Sequence, residues 1–192
     1  VDISIIDYAV GAAVATDLVN TSPTVRATEA LTDPDALTGF LAERGVRLDA
    51  LADGAPTADD LHQIHLLRRE VRGVLETEWE EQAVAGAMVL AGRAGQAPVL
   101  RRESGGWQWY VPTAPGASPA GELAALIGIG LLGAVRTLGH SRFRPCAAPG
   151  CRGVFVDTSR AGRRSYCMPD RCGNRVNVAD HRARRRMGSV IR

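Results

Sequence analysis

A chain of 192 residues with 45% hydrophobic and 23% charged residues has enough apolar material for a true core, which excludes an intrinsically disordered chain. Its formal charge of +2 conceals an asymmetry: residues 1–141 hold 10 Arg against 18 Asp and Glu, whereas residues 142–192 hold 13 Arg against 3 Asp. A basic tail on an acidic body points to a polyanionic partner for the tail, with mutual attraction of the two halves as the bland alternative.

The start, VDISIIDYAVGAAVAT, is apolar but carries Asp2 and Asp7 and no basic leader, so a secretory signal is not expected. Residues 9–19 predict a short helix ending at Asn20-Thr21-Ser22-Pro23, where proline forbids continuation. Asp33 before Pro34 is an N-cap with proline at the first helical position, and the helix it opens runs to about Arg44, with Gly45 as its stop. Thr57-Ala58-Asp59-Asp60 opens a long helix with Leu61, Ile64, His65, Leu67, Val71, Val74 and Leu75 at helical spacing. A break is expected near Gln82, with a second helix through AVAGAMVLAGRAG. Two extended runs around Ser104-Gly105-Gly106 predict a hairpin. Ser118-Pro119 caps a last apolar helix to about Leu138. Its longest apolar run, Leu123 to Val135, is too short to span a bilayer, so a cytoplasmic protein with no membrane partner is expected.

The body offers little chemistry. His62 and His65 lie one helical turn apart, but no acidic residue completes a metal spacing, so one core and one surface histidine is the preferred reading. Trp107 and Trp109 share a strand face and either line a ligand pocket or cap a core. With no phosphate-cradling glycine loop and no nucleophile elbow, no enzyme is expected.

All four cysteines, Cys146, Cys151, Cys167 and Cys172, form two C-x4-C pairs fifteen residues apart. Two short loops closing on one ion from either side suit the tetrahedral thiolate preference of a single structural Zn2+. Between the pairs, Val154-Phe155-Val156 is extended, Ser159-Arg160-Ala161-Gly162 turns and Arg163 to Tyr166 returns, which predicts a hairpin. From about Pro169 to Met187 a helix is expected. On a wheel of about 100° per residue, Cys172, Val176, Ala179, Ala183 and Met187 cluster, beside an arc of Arg171, Arg175, Arg182, Arg185 and Arg186. One face would pack on the metal knuckle while its neighbour presents guanidinium groups to duplex DNA, with Arg160, Arg163 and Arg164 gripping the flanking backbone. The alternative is a zinc-stabilised protein-interaction module whose Arg-rich face docks on an acidic protein surface.

At Cys172-Gly173-Asn174-Arg175 the chain resembles the CGNR zinc-finger family, with both C-x4-C pairs, the FVDTSRAGRRSYC segment and the HRARRR end. Thr16 to Thr21, TDLVNT, resembles the signature that opens the ABATE domain, departing from it at Thr16 and Leu18. The resemblance implies a bacterial transcription regulator, with the finger on DNA and the N-terminal part as a sensor of a small-molecule effector. It implies the four cysteines as zinc ligands, Gly173 as a close approach of backbone to metal, and Asn174 and Arg175 beside the metal or facing DNA. For Asn20 and Thr21 a ligand role competes with a plain helix stop and turn. The expected architecture is α+β: a mainly helical body with one β-hairpin over 1–141, then a treble-clef-like finger of β-hairpin and helix over 142–192. A palindromic operator would need a homodimer.

Overall fold

The computed structural model describes residues 1–174. Helix α1 (Tyr8–Val19) is followed by α2 (Pro23–Arg26), so Pro23 opens a short helix instead of only closing the previous one. The reason is positional: proline lacks the N–H that a first helical residue leaves unpaired anyway, and Ser22 caps the turn by accepting from Thr24 N. Helix α3 (Pro34–Glu43) starts under the Asp33 carboxylate, which accepts from Ala36 N, and stops at Gly45, whose φ is +62°. In α4 (Ala58–Glu76) Thr57 and Asp60 form a reciprocal capping box. Extended backbone at Thr77 ends α4 earlier than the expected break near Gln82, and α5 (Glu80–Ala91) follows.

Helix α6 (Pro119–Leu138) is the centre of the body. It is long and apolar enough to cross a membrane by length and mean hydropathy alone, yet Leu123, Ile127 and Leu131 are wholly buried by protein. A helix that is apolar nearly all round needs neighbours on every side. Two glycines admit them: a Cβ on Gly130 would lie 2.5 Å from Gly11 Cα in α1, and one on Gly128 would lie 2.3 Å from Ala91 N in α5.

The expected hairpin is present as β2 (Val99–Glu103) and β3 (Gly106–Pro112). A third strand, β1 (Asp2–Ser4), joins β3 antiparallel with Ile3 opposite Val111. This sheet, in order β1-β3-β2, lies against the body helices.

The finger's sheet differs from expectation. Strand β5 (Val154–Val156) pairs with β4 (Phe143–Pro145), which precedes the first cysteine, and not with Arg163 to Tyr166. Asp157 explains the difference. Its Oδ1 accepts from Ser159 N and Oγ, and its Oδ2 accepts from Arg164 N and Arg144 Nη1. The returning segment is thus tied to one buried carboxylate instead of to a strand edge. A π-helical turn, Pro169–Gly173, carries the last cysteine. The remainder of the expected Arg-rich helix, with Arg175, Arg182, Arg185 and Arg186, lies outside the described residues.

Strand alternation then sets how the parts meet. Val154 and Val156 belong to the body's apolar core, whereas Phe155 belongs to a second core with Cys146, Cys167 and Cys172. Residues 1–141 and the finger therefore share one core through a three-residue strand.

Candidate metal centre and its seam with the body

Each cysteine is placed by local backbone. Cys146 follows β4, and its N–H donates to Gly153 O at 2.8 Å. Cys151 closes a knuckle by donating to Ala148 O at 3.0 Å, a turn that needs the left-handed φ of +70° at Gly150. Cys172 donates to Met168 O at 2.7 Å within the π-helical turn. The four Sγ atoms lie within 4.8 Å of one another. Cys151 Sγ is 3.7 Å from both Cys167 Sγ and Cys172 Sγ, and Cys167 Sγ is 3.8 Å from Cys172 Sγ. A zinc ion with Zn–S bonds of about 2.3 Å sets tetrahedral sulfurs about 3.8 Å apart, so the donor set fits the ion.

The electrostatics point the same way. Burial pushes the Cys167 thiol far up, and the neighbouring Cys146 and Cys151 sulfurs add to it. Burial also raises Cys172. Burial opposes ionisation of Cys146 as well, but N–H donors from Cys167 and Ala148 outweigh it and hold that thiol below its ordinary value. Four thiolates packed this closely need a dication to be charged together. Backbone N–H groups already aim at sulfur, among them Cys167 N at Cys146 Sγ and Gly153 N at Cys151 Sγ, each at 3.4 Å.

The expected close approach of backbone to the site falls on Gly153, not on Gly173. A Cβ on Gly173 would meet the Tyr166 ring at an ordinary 3.4 Å. A Cβ on Gly153 would sit 2.3 Å from Cys167 Sγ and 2.8 Å from Asn20 Oδ1. Asn174 turns its side chain back to Asp170 O at 2.6 Å.

Asn20 is buried at 1% exposure, and its partner is the finger. Its Nδ2 donates to Val154 O and to Thr16 O, both at 2.7 Å, and its Oδ1 accepts from Val154 N at 3.3 Å. One turn earlier, Thr16 Oγ1 accepts from Val156 N at 3.0 Å. In an antiparallel pair alternate residues turn their backbone groups away from the partner strand. Thr16 and Asn20, four apart on α1, take up those outward groups of β5 and close its free edge. Thr21 is buried too; its hydroxyl donates to Leu18 O and accepts from Arg68 Nη1, which also pairs with Glu29. The TDLVNT segment is thus a clasp on the finger, with Asn20 and Thr21 buried and their polar groups spent on these bonds.

The arginines divide into two sets. Arg142 Nη1 donates to Asp157 O and Ser159 O, and Arg144 Nη1 to Asp157 Oδ2 and Gly162 O. Arg164, expected on the DNA face, lies over the Phe155 ring and donates to Tyr166 O and Cys167 O. These three hold the finger together. Arg152, Arg160, Arg163 and Arg171 are exposed, and Arg171 reaches Arg26 O at 3.4 Å. Among the described residues no finger arginine pairs with a body carboxylate, so the seam is apolar and hydrogen-bonded, not a meeting of opposite charges. In the body, His62 is exposed and His65 approaches Leu31 O at 3.0 Å. The two tryptophans do not cap a core: Trp107 is 62% and Trp109 47% exposed, and Trp109 lines a cavity.

Two family models match the chain. The CGNR zinc finger matches residues 142–185. The ABATE model, described as "Putative stress-induced transcription regulator", matches residues 12–137. No match was found among curated proteins. With the sulfur geometry, the first match assigns one structural Zn2+ to Cys146, Cys151, Cys167 and Cys172.

Proposed function

We propose that this chain, which belongs to the CGNR zinc-finger family with an N-terminal ABATE domain, is a non-catalytic cytoplasmic regulator that binds duplex DNA through its finger and senses a small molecule through its body. The observation that carries the reading is a cluster of four cysteine sulfurs set inside a strongly basic segment, with Arg160 and Arg163 exposed on the turn beside it. Zinc supplies rigidity there: it fixes the loops that carry these guanidinium groups, so phosphate contacts form without a large ordering cost. Arg152 and Arg171 add to the exposed basic groups of the finger.

The finger's union with the body supports a regulatory role in the same chain. Because β5 contributes side chains to both cores, a ligand that shifts α1 or α6 acts on the element that carries the metal loops. A palindromic operator would then be read by two copies. The competing reading, docking on an acidic protein, draws no support from the seam, where finger and body meet without a charge pair among the described residues.

The deciding experiment titrates the zinc-loaded full chain against a randomised duplex pool across salt, with and without a zinc chelator. The reading expects binding that requires zinc and weakens linearly with log salt as counterions are released. Absence of binding at low salt, with one zinc per chain shown to be present, overturns it in favour of a protein partner.

A further inference from the structure

Strand β3 outruns the helix layer beneath it. Trp107, Trp109 and Val111 share one face by strand alternation. Val111 is buried in the core, but Trp109 remains 47% exposed. Between this overhang and the last turns of α6 lies a cavity of about 590 Å³, within the range of about 300–1,000 Å³ usual for small-molecule sites. Ile5 and Ile6, from the link into α1, form one wall; Trp109 forms the roof, and Ile129 and Leu132 of α6 the floor. Gly133 lets Tyr8 close the far end, because any Cβ there would lie 2.4 Å from Tyr8 Cβ. Ile6, at 64% exposure, leaves much of this lining to solvent.

One lining residue carries charge. Arg136, in the last turn of α6, belongs to this cavity and to a shallower one that adjoins it through Ile5 and Trp109. Among the described residues no ion pair uses Arg136. A slot that is mainly apolar, with Thr137 and a single guanidinium at its polar end, selects by composition. Sugars and nucleotides would set many polar groups against a mainly apolar wall, and a cationic ligand would meet Arg136 head-on. A carboxylate at the end of an apolar body would receive two parallel N–H donors while the body covers Trp109 and Ile6.

We propose that this slot is the effector site of the sensing function above, on which the word effector rests, and that it takes an amphipathic monoanion: an aliphatic or aryl body ending in one carboxylate. The site is built from the link at Ile5 and Ile6, Tyr8 at the start of α1, strand β3 and helix α6, two turns of α1 away from the clasp at Thr16 and Asn20. Helix α6 runs from this slot into the shared core, against α1, so occupancy at one end reaches the element that holds the finger.

The test uses full-length, zinc-loaded protein carrying Trp79→Phe and Trp107→Phe, which leaves Trp109 as the sole tryptophan; both replaced residues are more than 60% exposed. The probes are decanoate, 2-naphthoate and the neutral decanol, kept below their aggregation limits, with Trp109 emission as the readout and calorimetry on the natural sequence in parallel. A saturable response to at least one carboxylate, at least tenfold weaker for decanol, and loss of that preference in Arg136→Gln support the proposal. No saturable response to any probe overturns it, and so does equal response to decanoate and decanol in both proteins. A protein that sediments as a dimer, and that Ile6→Glu turns into a monomer, assigns the face to a second copy and also overturns it. Duplex binding measured with and without the carboxylate separates the two readings. Carboxylate binding that leaves DNA affinity unchanged keeps the site and removes its effector role; DNA binding by a protein that ignores every probe removes the site and leaves the DNA-binding reading standing.

Discussion

Asn20→Ala tests the clasp most directly. The substitution deletes both hydrogen bonds to Val154 and the bond to Thr16 O, all in buried surroundings. Val154 N–H and C=O face away from β4, so both are left without a partner, at about 1–3 kcal/mol each. The expected loss is about 2–6 kcal/mol, a large share of the roughly 5–15 kcal/mol that holds a typical domain. Asn20→Asp should be no better than alanine, since it keeps the acceptor for Val154 N but turns a second oxygen toward two carbonyls and buries a charge. Urea denaturation of the zinc-loaded chain gives the stability. The rate of zinc transfer to a chromogenic chelator gives the effect on the finger, and transfer should accelerate as β5 loosens. A loss below about 1 kcal/mol would refute the bond accounting. A full loss with zinc transfer unchanged would show that Asn20 serves α1 alone and that β4 and zinc suffice to place β5.

Four further outcomes follow from the same geometry. Gly153→Ala places a methyl 2.3 Å from Cys167 Sγ, and metal analysis should find well under one zinc per chain. Arg160→Ala with Arg163→Ala should lower the slope of log affinity against log salt by about two while zinc stays bound, whereas Arg164→Ala should weaken zinc retention because its guanidinium braces Phe155 and Cys167 O. Glu29 is held below the ordinary carboxyl range although burial opposes this, because Arg68 and Leu31 N–H donate to it. The stability it contributes is present above the ordinary carboxyl value and is lost as pH falls through the lower folded value. Glu29→Gln should therefore flatten the acid limb of the stability–pH curve, which denaturation across that range measures.

Reading from sequence succeeded where the signal is local. Caps at Asp33, Thr57 and Ser118 mark helix starts within one residue, because a side chain and its N–H partner lie within a turn. The zinc ligands were legible from spacing for a similar reason. Strands β1 and β4 were not, since three residues offer no period to detect. The clasp was invisible because Asn20 meets the backbone of Val154, 134 positions away, and a backbone group has no signature in sequence. Counting charge also misled: Arg142, Arg144 and Arg164 add to the basic total, yet each donates to carbonyls or to Asp157 inside the finger. Only the fold separates arginines that build the finger from those it displays.

The three-residue strand shared by the two cores also dictates an order of events at the ribosome. Helix α1 emerges long before its partners: the β5 backbone groups that bond Asn20 and Thr16 follow 134 and 140 residues later. Until then Thr16 Oγ1 and Asn20 keep only their bonds within α1, and the nascent body holds an open apolar slot where Val154 and Val156 belong. Such a species is a natural client for chaperones, and a late, long-range closure of this kind is intrinsically slow. A chain stopped near residue 141 would stay in that state, prone to aggregate instead of persisting as an independent sensor. Metal supply then enters biogenesis as well as activity: in a cell short of zinc, the last step of folding of the whole protein, not of the finger alone, would stall.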